Sequence, residues 1–255
     1  MTGAGRAAIA VLAAAAAPLP ARAYRPFDST DAAVADKGRI EIELGPIGLL
    51  KEGSERWLVA PSLIFNWGFA DRWEVVLEGR HFVHLGSASS TEPRLRVEDV
   101  ALSVKSVLRE GSLQERSGVS IATEIGALLP EVNGEGGSGA QAALIASQRW
   151  EALTVHLNGA AAWTRQHDLG LFGGVIVEGH DVWTVRPVTE VFVEAQGDLP
   201  VEVSWLAGAI WRARDDLSID AGVRLARSGG VDTTEIRLGL TWELPVGFPQ
   251  NRRKP

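Results

Sequence analysis

Side chains able to do covalent or acid–base chemistry are few in this chain and poorly grouped. It has no cysteine and five histidines: His81, His84, His156, His167 and His180. Without cysteine there are no disulfides, thiolate metal sites or sulfur nucleophiles. No H-E-x-x-H pair occurs, and no serine sits in a G-x-S-x-G elbow. The Gly-rich run Glu135–Gly139 lacks the strand-to-helix setting of a phosphate loop. One pair stands out: His156 with Asn158 two residues on, the pair an outer-membrane serine hydrolase would use. No serine at a workable spacing goes with it, so a lone polar histidine on a wet face is the simpler reading. The sequence predicts no catalytic, cofactor or metal residues, and a protein that is not an enzyme.

Charge, by contrast, recurs at every second residue over most of the chain. Arg39, Glu41 and Glu43 alternate with Ile40, Ile42 and Leu44. Glu74, Glu78 and Arg80 oppose Trp73, Val75 and Leu77, while Asp99, Ser103 and Lys105 oppose Val100, Leu102 and Val104. Glu124 opposes Ile121 and Ile125; His156 opposes Val155 and Leu157. Arg186, Glu190 and Glu194 oppose Val185, Val191 and Val193, and Glu202 opposes Val201 and Val203. Asp220 and Arg224 oppose Ile219 and Val223; Glu235 and Arg237 oppose Ile236 and Leu238. Strict alternation is the pattern of a strand with one apolar and one polar face. The polar set holds eleven acids against six bases, and arginine outnumbers lysine 21 to 4 in the whole chain. That bias suits bidentate pairing with carboxylates.

The elements that carry these residues number about twelve strands between 39 and 244. A further face, Val59, Pro61, Leu63, Phe65 and Trp67, opposes Ala60, Ser62 and Asn66. Two weaker apolar segments near 139–148 and 171–178 complete the count, which is even, as in bacterial outer-membrane barrels. Tight connections at Phe69–Arg72, Arg149–Glu151, Gly179–Val182 and Ala213–Asp216 alternate with longer ones at Leu85–Arg94, Pro130–Ser138 and Arg165–Gly170. The long turn Arg109–Arg116 breaks this rule. Trp67, Trp73, Trp150, Trp183, Trp211 and Trp242 fall near the short-turn end, Trp57 and Trp163 near the long-loop end, and Trp205 mid-strand. Indole rings settle at membrane interfaces, so this distribution predicts two aromatic girdles.

Composition agrees with this reading. The chain has 255 residues, 28 Gly and 9 Trp but 1 Tyr and 1 Met, and a formal net charge of −7. The acidic balance argues against a general nucleic-acid binder. Residues 1–23 read as a secretory leader: Arg6 in the n-region, the apolar run Ala7–Ala17, then Ala21-Arg22-Ala23 as a cleavage site. No later stretch is long and apolar enough for a membrane helix. A closed sheet of about twelve strands is too wide for the Val, Leu, Ile and Ala face to fill, so that face points to lipid and the charged face to the lumen. The expectation is an all-β, transmembrane, antiparallel up-and-down barrel over 39–244. A periplasmic segment, 24–38, precedes it and a tail, 245–255, follows.

The stretch after Tyr24, RPFDSTDAAVADKGRIEIELG, and the hairpin APSLIFNWGFADRWEVVLEGR at 60–80 carry a resemblance. With its Gly68-Phe69-Ala70-Asp71-Arg72-Trp73-Glu74 turn, this part resembles an outer-membrane barrel family linked to transport in meta-cleavage phenol degradation. A looser echo lies at 209–224, AIWRARDDLSIDAGVR. The resemblance implies an outer-membrane protein that moves small molecules. One departure is the C-terminus, where thirteen residues, among them Arg252-Arg253-Lys254, follow Trp242 in place of an aromatic last residue.

The leading expectation is a monomeric passive channel of the outer membrane for small solutes, aromatic or hydrophobic ones included. Its partners would be outer-membrane lipid, the machinery that assembles barrels and the solute itself. The alternatives are a lipid hydrolase built on His156 and a non-transporting structural barrel. Candidate lumen-lining residues are Glu78, Arg80, Asp99, Lys105, Glu124, His156, Arg186, Glu190, Asp220, Arg224, Glu235 and Arg237. They would either zip the wall through Arg–Glu pairs or line a passage for neutral and cationic solutes.

Overall fold

The computed structural model describes residues 25–86 and 94–246. The expected leader and most of the expected tail lie outside the described residues. Twelve antiparallel strands form one closed meander. In chain order they are β1 (Arg39–Glu52), β2 (Glu55–Ala70), β3 (Trp73–His84), β4 (Leu95–Arg109), β5 (Ser120–Leu128), β6 (Gly139–Arg149), β7 (Leu153–Trp163), β8 (Leu169–Gly179), β9 (Val185–Gln196), β10 (Glu202–Arg214), β11 (Leu217–Ser228) and β12 (Val231–Pro245). β1 pairs with both β2 and β12, from Arg39 opposite Pro245 to Glu52 opposite Thr233. Closure leaves no open edge, which hydrocarbon would not tolerate.

The faces divide as the alternation predicts. Leu77, Leu102, Ile125, Leu157, Val191, Val223 and Leu238 are exposed on the outside, whereas Glu43, Glu74, Lys105, Glu190, Asp220 and Glu235 are buried inside. An apolar exterior around a charged interior is the inverse of a soluble barrel. Trp73, Trp150, Trp183, Trp211 and Trp242 are exposed toward the short-turn end and Trp163 toward the other. The mid-strand Trp205 satisfies its indole N–H on the Thr189 hydroxyl at 2.9 Å.

Three local features depart from simple alternation. Register shifts between Leu44 and Ile47 in β1, and between Val59 and Ser62 in β2, reverse the inward parity of both strands. Trp57 and Val59 therefore point inward and pack with Phe82, with Leu50 against them. Trp57 is 8% exposed and is not part of a girdle. On β4 the shift opposite Gly79 puts Asp99 at φ 57°, and Arg96 and Glu98 rather than Val97 continue the lining of the lumen. The long β4–β5 turn holds a 3₁₀ turn, Ser112–Gln114, whose Leu113 is buried with Ala32, Ala33, Ala122 and Ile145.

The N-terminal segment corrects the sequence reading most. Expected as a periplasmic segment outside the barrel, residues 25–35 instead lie within it, with Asp36 and Lys37 exposed at its short-turn end. Ala32, Ala33 and Ala35 are almost fully buried. Where the segment crosses β2, a Cβ on Gly68 would stand 2.2 Å from the Ala35 carbonyl oxygen, so only glycine fits.

Candidate functional site

The segment 25–37 has no regular secondary structure, so its backbone must find partners on the wall. Inward side chains from β1, β3, β6, β7, β9 and β12, with Gln114 of the 3₁₀ turn, supply them. The amides of Asp28 and Ser29 donate to the Glu190 carboxylate at 2.9 and 2.7 Å. Those of Arg25 and Ala35 donate to Glu43 at 3.1 Å and Glu74 at 2.6 Å. Asn158 holds both the N–H and the C=O of Thr30, at 3.2 and 2.8 Å. The Pro26 carbonyl accepts from Arg237 at 2.6 Å, and that of Ala32 from Gln114 at 2.9 Å. The inward polar row therefore serves as a mould for a plug.

Charge anchors the plug at three points. The first is centred on Glu235, which accepts from Arg237 at 2.7 Å, from Arg224 at 3.2 Å and from Arg80. Arg237 passes the connection to Asp28 of the plug at 2.9 Å; Arg224 also holds Glu202 at 2.8 Å, and Arg80 lies 3.7 Å from Asp99. Five of the sequence candidates thus converge on one network, with Arg80 reaching from β3 to β12 across two strands. The second anchor is Lys105, buried among Thr30 at 3.1 Å, Asp31 at 3.7 Å and Glu74 at 3.5 Å. The third joins Arg25 to Ser62 at 2.7 Å and Asp220 at 3.7 Å. Burial pulls the Arg25 guanidinium below its ordinary pKa, while the charges of Asp220 and Glu43 act to raise it.

His156 has partners that sequence spacing does not reveal. Ser147 on β6 lies directly opposite it and bonds its Nδ1 at 2.8 Å; its Nε2 lies 2.8 Å from Glu178 on β8. Arg186 holds the other Glu178 oxygen at 3.0 Å. This is a Ser–His–acid chain, but it is directed at the plug: the Ser147 hydroxyl accepts the Ala32 amide at 2.9 Å. Ser147 is 1% exposed, which leaves no approach for an acyl substrate. Replacing Ser147 with alanine should strand the buried Ala32 amide and cost about 1–3 kcal/mol. Equilibrium unfolding monitored by tryptophan fluorescence would measure it, and an unchanged midpoint would show that the bond contributes nothing.

Between the plug and the long loops lies a cavity of about 1040 Å³. Phe27 and Arg25–Thr30 form part of its floor. One wall is apolar, with Ala143, Ala160, Ala162, Phe172 and Phe192; the two rings stack tilted at 5.1 Å. The adjoining wall, β3–β5, carries Glu78, Arg80, Arg96, Glu98, Asp99 and Glu124. At the mouth Arg165 pins the β5–β6 loop by bonds to the Leu129 carbonyl at 2.8 Å and Glu131 at 3.3 Å. Burial, then the neighbouring Glu131, pushes the Glu135 carboxyl up from its ordinary pKa. Every sequence candidate lies on the inside, but not in one group: Arg80, Asp99, Arg224, Glu235 and Arg237 share a network, and Glu78 and Glu124 line the cavity.

No protein-family model matches the chain, and no curated protein matches it. Its likeness is to solved structures of outer-membrane channel barrels. The COG4313 outer membrane channel from Pseudomonas putida F1 superposes with a TM-score of 0.64 at 10% identity, over 86% of this chain and 100% of that one. The NanC porin gives 0.57 at 9% identity, over 80% of this chain and 100% of the other. The KdgM porin gives 0.52 at 10% identity, over 79% and 98%. At such identities these comparisons speak to the fold alone, a closed antiparallel barrel like those of outer-membrane proteins.

Proposed function

We propose that the protein is a passive channel of the outer membrane for small solutes, including aromatic or hydrophobic ones, with its long loops outside and its short turns in the periplasm. The observation that carries this reading is the solute-sized cavity inside a closed barrel, with a phenylalanine–alanine wall beside a charged one. Such a lining accommodates an apolar ring and keeps its polar substituents wet. The channel fold of the structural neighbours supports it. The buried Ser147 hydroxyl accepts the Ala32 amide of the plug, so the hydrolase alternative has no accessible nucleophile.

The experiment is single-channel recording in planar bilayers of the full barrel beside a variant lacking residues 25–37. The plug fills the short-turn half of the lumen, so the full barrel should conduct weakly and the deletion should show a larger, steadier open level. Equal currents would mean that the plug does not lie in the conducting path. Arg80 supplies a second test. Arg80→Ala removes a cavity-facing cation from a wall that keeps Glu78, Glu98 and Asp99, so preference for cations should rise. Reversal potentials in a salt gradient read this directly; an unshifted value with clear conductance would leave Arg80 a purely structural residue.

A further inference from the structure

We propose that Lys51, Arg56 and Arg227 form a binding site on the outer wall for the phosphate-bearing headgroup of a membrane lipid. The inference rests on the reading of the barrel as membrane-embedded. Lys51 on β1 lies directly opposite Arg56 on β2, and both are exposed on the outward face of the long-loop rim. Like charges placed opposite each other on one face repel, and nothing among the described residues relieves them: neither side chain has a carboxylate at ion-pair distance. Two strands away on the same face, Arg227 of β11 meets Asp232 of β12 at 3.5 Å. Asp232 is the one acid on this face of the four strands at that height. Glu52 and Glu55 follow the inward parity of Leu50 and Trp57, and Glu55 is taken by His84 at 2.6 Å.

The row is placed for a lipid. Immediately below it the same strands present Leu49, Leu225 and Ile236, all exposed, to the hydrocarbon. Three cations against one acid, arranged across four neighbouring strands at the top of an apolar band, match phosphates held above acyl chains. At the opposite rim Lys37 meets Asp71 at 3.6 Å, Arg214 meets Asp216 at 3.0 Å, and Arg72 and Arg116 share Glu110 at 4.0 and 3.9 Å.

The test is native mass spectrometry of the detergent-solubilised barrel titrated with a bisphosphorylated acyl disaccharide, its dephosphorylated form and inorganic phosphate. The wild type should retain the phosphorylated lipid as a saturable adduct. The double variant Lys51→Gln/Arg56→Gln should bind it on the order of thirtyfold more weakly, at about fivefold per cation near a charged lipid surface. The dephosphorylated lipid should not distinguish the two proteins. Equal affinities, or displacement of the lipid by inorganic phosphate as effectively as by free lipid, would overturn the site. Insertion into phosphatidylcholine vesicles separates this from the channel reading. If both proteins insert but bind alike, the lipid site alone fails; if neither inserts, the membrane reading fails and takes the site with it.

Discussion

Glu235→Gln is expected to cost about 3–5 kcal/mol, because it removes the shared carboxylate from three guanidinium groups inside the barrel. Arg80, Arg224 and Arg237 all converge on this side chain, which is 1% exposed. Glutamine keeps the shape and loses the charge, so the loss reports electrostatics rather than packing. Arg237 would keep only Asp28 as an acidic partner, and the plug should loosen with it. Unfolding in urea, followed by tryptophan fluorescence, gives the free energy; limited proteolysis near residues 25–37 reports the loosening. A double variant Glu235→Gln/Arg237→Gln should recover part of the loss. A Glu235→Gln barrel within about 1 kcal/mol of wild type would show that the network is no tighter than a surface ion pair.

The second large effect belongs to the outer face. Leu102 and Leu238 lie near the middle of β4 and β12 and are 46% and 45% exposed. Arginine at either position should cost about 2–4 kcal/mol, the depth-dependent cost of a cation on the lipid face near the midplane. The inward neighbours of these residues are poor controls. Ser103, beside Leu102, and Arg237, beside Leu238, are 2% and 6% exposed, pressed into the filled half of the lumen, so a substitution there would damage packing as well. Gln141, inward on β6 and lining the cavity, is the better comparison, and Gln141→Arg should be nearly neutral. Refolding titrations in lipid vesicles would measure all three. Similar losses at Leu102, Leu238 and Gln141 would mean that the apolar face does not meet lipid.

Much of the barrel is visible in the sequence because a half-buried strand must alternate. Glu235, Arg237 and Thr241 against Ile236, Leu238 and Leu240 leave one assignment of faces, and a slip of one residue would invert it. The errors fall where backbone geometry, not side-chain type, decides. Val59 and Pro61 look like one continuous apolar face with Leu63, yet the shift between Val59 and Ser62 turns the first of them inward and carries Trp57 with it. Apolar residues on both sides of a bulge hide the bulge.

The plug is invisible for a different reason. Residues 25–37 alternate nowhere, and their partners are scattered from Glu43 to Arg237. A polar segment of small residues reads as an extramembrane arm unless its contacts are known. In the same way Ser147, nine residues before His156, escapes any motif because the two meet only through β6–β7 pairing. One clue was present: eleven inward acids against six bases is more carboxylate than the wall can neutralise by itself. In the structure Glu43, Glu74 and Glu190 accept backbone amides of the plug.

Where the plug sits also fixes an order of events. It precedes β1 in the chain, yet its Asp28 is bound by Arg237 of β12, 209 residues later. This early segment therefore acquires its final contacts only after the last strand exists. Until β12 is in place, Glu235 and Arg237 cannot grip the plug, and the β1–β12 seam is open beside it. The grip of Arg237 on Pro26 and Asp28 thus waits for the strand that closes the seam, whereas the holds of Glu43, Glu74, Ser147, Asn158 and Glu190 on the plug do not.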